Sequence, residues 1–255
     1  MHQIQQERIT AFNEALRQQQ EAAERRRQLI FTLPNDGGDL EFVEIRKGTL
    51  NLNGREIHLA AFRMSKYPIT QRQYQAIMGN NPSDFKGDLD CPVERVSWND
   101  AKAFCKKLSQ EPVMAGQKVY LPSEAQWEYA CRAGTTTKFW FGNSDNDLGK
   151  HAWYDGNSGR RTHSVYEKAK EHENFWGLVD MHGHVWEWCA DNWTNNTNEL
   201  PNDGTRLTKG GNSSLHPIRS GLCNESTGNC RASYRGYFSS VDYYFYLGFQ
   251  VVLVV

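Results

Sequence analysis

The sequence predicts an α+β domain, irregular and rich in loops, with a helical extension at its N-terminus. Three observations predict it. Residues 42–45 and 57–64 alternate apolar and polar side chains with the period of strands. Three segments between residues 70 and 133 have the period and the start signals of amphipathic helices. Residues 134–230 then hold Gly, Asn, Ser, Asp and Trp in short fragments with no regular period, before an apolar run closes the chain like a strand. Strands, helices, long loops and a final strand make the order of an α+β domain whose loops carry function.

Residues 3–29 are rich in helix formers, densely charged and free of Gly and Pro. Ile9, Phe12, Leu16 and Ala23 fall on one stripe, yet a helix this short does not stand alone in water, so it is expected to dock on something. Residues 1–33 are therefore read as an extension able to meet a partner or a second copy. The run Arg25-Arg26-Arg27 reads as a solvated face or helix C-terminal charge rather than a nucleic-acid patch. The turn signal at residues 34–38 marks the boundary of a compact domain over residues 38–255. Within it, Thr70 caps a helix over 70–78, Ser97 or Asn99 caps one over 98–108, and Ser123 with Gln126 forms a capping box for one over 123–133. Trp127 and Ala130 fall on the inner face of that third helix. The segment Val185-Trp-Glu-Trp188 alternates like a half-buried strand, with Glu187 a hydrogen-bond hub in preference to a metal ligand.

Bulk properties exclude several functions. The chain has 255 residues and a formal net charge of −1, so it offers no basic field to nucleic acid or anionic membrane. No apolar run approaches the roughly twenty residues of a membrane span, and the first residues are too polar for a secretory signal. A cytoplasmic protein is expected. Six cysteines without CxxC spacing announce neither zinc nor a disulfide framework and are read as buried thiols, a Cys223–Cys230 bridge being disfavoured. His182 and His184 flank Gly183, but without a third ligand in view the structural reading is favoured over metal or acid–base chemistry.

The C-terminal segment carries the strongest functional signal. Five of the eleven tyrosines lie after Cys230, and Tyr243, Tyr244, Phe245 and Tyr246 are consecutive, so no helix or strand period turns all four inward. Tyr with Ser and Gly is the composition of a recognition surface, because a phenol gives rigid contact area with a polar tip. A packed aromatic layer remains the competing reading at this point.

Five stretches then appear in a recognisable order: KYPITQRQYQAIMG (66–79), CPVERVSWNDAKAFCKKLS (91–109), YLPSEAQWEYACRAGT (120–135), GLVDMHGHVWEWCADNW (177–193), and KGGN followed by LGFQVV (209–212, 247–252). Together they resemble the C-type lectin fold of the formylglycine-generating-enzyme (sulfatase-modifying factor) type from about residue 38 onward. The resemblance implies one irregular domain held by buried tryptophans. It also implies structural calcium near such loops, for which Asp155, Asn157 and Asp180 are oxygen donors without forming a legible cage; no cofactor is expected.

In the enzymes of this family two cysteines downstream of the GG motif bind copper, and soft thiolates are what Cu(I) requires. The matching positions here are Leu215 and Ser220, and a register shift to Cys223 restores one ligand at most. A copper-dependent oxidase is thus disfavoured. A branch with a three-histidine iron site is excluded, since His2 is the sole histidine in the first 37 residues. The chain is more similar to the variable proteins of diversity-generating retroelements, which share the scaffold, lack those cysteines and end in a segment rewritten at template adenines. Mutated Asn codons do not yield Lys, Glu, Gln, Met or Trp, and residues 226–246 contain none of the five. The hypervariable segment is placed at about 212–246. Gly210-Gly211, Cys230 to Ser233, Arg235, Asp242 and Leu247 to Phe249 read as fixed framework, while Ser213 where Trp is usual and an insertion over 218–229 are departures.

The expectation is a non-catalytic binder with an exposed ligand-binding site made of Ser214, Leu215, His216, Tyr234, Gly236, Tyr237, Phe238, Ser239, Tyr243, Tyr244, Phe245 and Tyr246, its ligand a protein. The alternatives are the oxidase and a scaffold or regulatory subunit acting through the N-terminal helix.

Overall fold

The computed structural model describes residue 17, residues 29–224 and residues 226–254. The helix expected over 3–29 therefore lies outside the described residues except for Arg17, which is helical, and Leu29. Ile30–Thr32, inside the expected helical extension, is instead a strand, β1, paired antiparallel with the next strand.

The strands that follow are β2 (Asp39–Ile45), β3 (Gly48–Leu52), β4 (Arg55–Leu59), β5 (Phe62–Ser65), β6 (Val119–Tyr120), β7 (Trp186–Trp188), β8 (Leu215–Arg219), β9 (Gly236–Ser239), β10 (Leu247–Gly248) and β11 (Val252–Val254). One sheet has the order β1-β2-β5-β11-β6, a second has β10-β7-β8-β9, and β3 with β4 forms a hairpin. The alternating segment 57–64 thus divides into β4 and β5, separated at residues 60–61. β11 runs antiparallel between β5 and β6, so the last described residues stitch the first sheet together.

All three expected helices form with the expected caps. In α1 (Gln71–Met78) the Thr70 hydroxyl accepts from Gln73 N, Gln73 returns a bond to Thr70 N, and Gly79 at φ 86° ends the helix. α2 (Trp98–Leu108) is capped by Ser97 with Asp100 answering, which settles the choice between Ser97 and Asn99. α3 (Glu124–Arg132) has the Ser123–Gln126 capping box and ends at Ala133 in the left-handed region. The apolar stripes of α1 and α2 bury Tyr74 and Phe104 against Phe249, and Trp127 of α3 sits in a second core with Ile45, Ile57, Met64 and Leu178.

β7 was expected to be half-buried but is buried on both faces. The reason is its position between β10 and β8, where Trp188 Nε1 donates to Val96 O at 2.8 Å and Glu187 Oε2 accepts from Trp127 Nε1 at 2.7 Å. Glu187 is thus a buried hydrogen-bond acceptor, but of one bond rather than the hub expected: its Oε1 has no hydrogen-bond partner among the described residues.

Gly248 on β10 lies where the second sheet meets residues 93–96: a Cβ there would stand 2.6 Å from Val93 O. Gly248→Ala must move backbone rather than a flexible side chain, and overpacking of this kind costs about 1–3 kcal/mol. Thermal unfolding of that variant should show a fall of several degrees; an unchanged midpoint would mean the contact is loose.

Candidate functional site

β8 and β9 pair antiparallel with Leu215 opposite Ser239, His216 opposite Phe238 and Pro217 opposite Tyr237. β9 is the edge of its sheet, and the segment after it returns through residues 240–246 to β10. Two devices fix this return. Asp242 accepts from Ser239 N at 2.9 Å, and Ser240 N donates to Ser214 O at 3.0 Å. Asp242, read from sequence as framework, thus works as a loop cap.

On this frame Tyr237, Tyr243, Tyr244 and Phe245 stand 48%, 60%, 53% and 57% exposed, which decides against the packed aromatic layer for these four. Ser214 is exposed as well, and Leu215, Tyr234, Gly236, Phe238 and Ser239 are half-buried at the base. The rings brace one another. Tyr237 lies 4.6 Å from Trp193, Phe238 5.1 Å from Tyr244, and Tyr234 5.2 Å from Trp186. Arg95 lies 5.8 Å over the Tyr243 ring, and Arg235 4.5 Å over Trp193.

Two residues expected on this surface are buried. Tyr246 turns inward with its backbone in the left-handed region (φ 73°), packs against Phe85, and donates its hydroxyl to Arg160 O at 2.8 Å. The four consecutive aromatics therefore split three out and one in. His216 is buried because it faces the core side of β8, where its ring stacks on Trp98 at 3.5 Å. Burial pushes its pKa down, so the neutral ring donates from Nδ1 to Asp191 O at 2.8 Å.

Between β8 and α3 lies a charge cluster that was not read from sequence. The Arg219 guanidinium, 1% exposed, donates to Glu124 at 2.8 Å and to Glu128 at 2.7 Å, and also bonds Ala232 O. Arg235 adds a two-pronged bond to Glu124, at 2.5 and 2.8 Å, and Arg132 joins Glu128 at 2.7 Å. Burial works to raise the Glu124 pKa, but the two guanidiniums outweigh it and hold the carboxyl below its ordinary value. Removing one partner from a cluster this deep leaves an uncompensated charge, at a typical cost of about 3–5 kcal/mol. The signal was present: Glu124 and Glu128 sit one turn apart on the inner face of α3, beside Trp127.

Oxygen and nitrogen donors singled out as possible metal ligands are engaged by the protein itself. Asp180 accepts from His172 at 2.6 Å and His184 at 2.8 Å, and these histidines overcome its burial to hold its pKa below the carboxylate range. His184 Nε2 accepts from His163 N, and His182 takes Trp140 N on one ring nitrogen and donates to Cys230 O with the other. Asp155 pairs with Arg160, and Asn157 accepts from Tyr154 N. Gly183 between the histidines has φ 97°, and a Cβ there would meet Trp153 O at 2.2 Å, so the loop needs glycine.

The copper positions do not fit the metal. Leu215 has no donor atom. The Ser220 hydroxyl donates to Gly183 O at 2.8 Å and accepts from Gly183 N at 3.2 Å. Cys223 is fully buried beside Trp153 and Tyr246, and burial pushes its thiol up to about 12, which keeps it protonated.

A family model described as the sulfatase-modifying factor enzyme 1-like domain matches residues 19–254. The chain belongs to this family. Chaperone protein LppX of Paenibacillus barcinonensis is 28% identical over 220 residues, with 68% of this chain and 78% of that protein covered. The formylglycine-generating enzyme of Bos taurus is 31% identical over 178 residues, covering 60% of this chain, which spans 45% of the enzyme's length. Among solved structures, variable protein 1 of Treponema denticola superposes with a TM-score of 0.75 at 28% identity, covering 84% of this chain and 95% of that one. The C-type lectin fold of the formylglycine-generating type and the likeness to variable proteins, both read from the motifs, are borne out. Among the described residues no helix is long and apolar enough to cross a membrane.

Glu187 gives this family framework a measurable pH dependence. Burial pushes its carboxyl up to about 8, against the Trp127 indole that favours the anion. A raised carboxyl contributes stability at pH below its unfolded value near 4.5, and that contribution is lost as pH rises through the folded value. Glu187→Gln keeps the acceptor for Trp127 and removes the ionisation. Its stability by chemical denaturation should gain on the parent between pH 5 and 8, by up to about 1.4 kcal/mol per unit. Parallel curves for the two proteins would refute the assignment.

Proposed function

We propose that the protein is a non-catalytic binder that presents a retroelement-diversified surface, and that its ligand is another protein. The observation that carries this reading is the ridge of Tyr237, Tyr243, Tyr244 and Phe245, held out to solvent. Large exposed rings on a braced backbone lose little conformational freedom on binding, and Tyr is favoured at hot spots. An open ridge lacks the enclosure of a small-molecule pocket, which favours a macromolecular ligand. The likeness to a variable protein, and a relative named as a chaperone protein, support the same choice. Leu215 and Ser220 at the copper positions argue against oxidase chemistry, and this reading needs no cofactor.

Sequencing the genomic locus tests the retroelement origin. A reverse transcriptase gene should lie nearby, with an imperfect copy of the sequence encoding about residues 212–246 that differs almost only at adenines. A locus with neither, or differences spread over all four bases, would sink the proposal.

The physical part of the reading is tested by substitution. Replacing Tyr243 and Tyr244 together with Ala should leave the melting temperature within about a degree, as exposed sites do. Tyr246→Ala should cost about 3 kcal/mol, lowering the midpoint by roughly 10 °C. Equal losses in both variants would place the whole aromatic run in the core.

A further inference from the structure

We propose that the cleft between α2, β6 and residues 205–206 is a second binding site, for a small amphipathic anion: one carboxylate on a flat aromatic or alkyl body. The cleft has a volume of about 520 Å³, within the range of small-ligand sites. Its apolar surface comes from Trp98, Val119, Leu121, Ala190 and Val252. Around it stand Lys102, Lys106 and Arg206, and no carboxylate lines it. Lys102 and Lys106 are one turn apart on α2 and so share a face.

The charge is uncompensated. Arg72, Arg95, Arg132, Arg219 and Arg235 each pair with a carboxylate, whereas Lys102, Lys106 and Arg206 make no ion pair among the described residues. Lys102 Nζ instead lies 4.1 Å over the Trp98 ring, whose opposite face is taken by His216. Burial first, and then the nearby Arg206, push the Lys102 pKa down, which is the state of cations gathered without a counter-charge. In a chain of net charge −1 this concentration is local. An anion seated there relieves the repulsion while its apolar body displaces water from Trp98 and Val119.

An extended peptide added to the sheet edge is the competing occupant, and the backbone argues against it. β6 is the edge strand, but Val119 N already donates to Ser109 Oγ at 2.8 Å, and the same hydroxyl lies 3.5 Å from Val119 O. Serine thus closes the ladder that a peptide strand would use. The cleft and the aromatic ridge are separate sites, so this inference stands or falls apart from the proposed function.

The test is calorimetric titration of the full chain with 1-naphthaleneacetate and with its neutral amide. The acid should bind saturably at one site, at least ten-fold tighter than the amide. Lys102→Glu combined with Arg206→Glu, both exposed, should weaken the acid at least ten-fold without lowering the melting temperature by more than a few degrees. The Tyr243→Ala, Tyr244→Ala variant should bind it unchanged. Equal binding of acid and amide, no saturable binding by the full chain, or affinity that follows the tyrosines instead of the cations would each overturn the proposal.

Discussion

The structure depends on where the Arg219 guanidinium is held. It stands at the end of β8, beside the strand that carries Tyr237, and reaches Glu124 and Glu128 on α3 while also bonding Ala232 O. One side chain thereby joins an α-helix, an inner strand and the loop that leads into β9. Arg235 closes the same figure from the outer side through Glu124. Such a cluster is not a large net source of stability, since desolvation offsets most of the attraction. Its consequence is geometric: each charge has one satisfied arrangement, and any slip of β8 against α3 would strand a charge in the interior.

This constraint explains how the fold separates structure from recognition. Side chains of the sheet that point inward, such as Glu187, Trp188, His216 and Arg219, each have a named partner. Those that point outward from β9 and residues 243–245 are exposed or half-buried and rest on one another and on Trp188, Trp193, Arg95 and Tyr246. None of the hydrogen bonds or ion pairs of Glu187, Trp188, His216 and Arg219 runs through Tyr237, Tyr243, Tyr244 or Phe245. The interior is chemically quiet as well. All six cysteines are free and buried, and burial raises the thiols of Cys91, Cys105, Cys131, Cys189 and Cys223, so these five are not poised as thiolates.

Local signals were legible wherever the chain satisfies its own backbone. The Thr70, Ser97 and Ser123 caps were readable because a hydroxyl followed three residues later by Gln or Asp is a local device. Gly248 and Asp242 were recognisable only through resemblance, and the structure supplies their reasons in Val93 O and Ser239 N. Strand β8 was missed because Pro217 interrupts its pattern, and within sheets Pro is normally confined to edge strands, whereas β8 is an inner one. Pairing with β7 and β9 overrides that local preference. Tyr246 was misplaced for a similar reason: its inward turn needs a positive φ and a hydrogen-bond partner 86 residues away, and neither is visible in composition. The ion cluster joins residues about 90–110 apart in sequence, beyond the reach of any periodicity argument.

The most direct measurement of the central claim is a saturation scan read out as folded fraction, covering Tyr237, Tyr243, Tyr244 and Phe245 alongside Glu124, Arg219 and Glu128. If a buried charge frame holds the ridge without help from it, most substitutions at the four aromatic positions remain folded, while nearly every substitution at the three charged positions does not. Broad intolerance at the aromatic positions, or free substitution of Arg219, would contradict it.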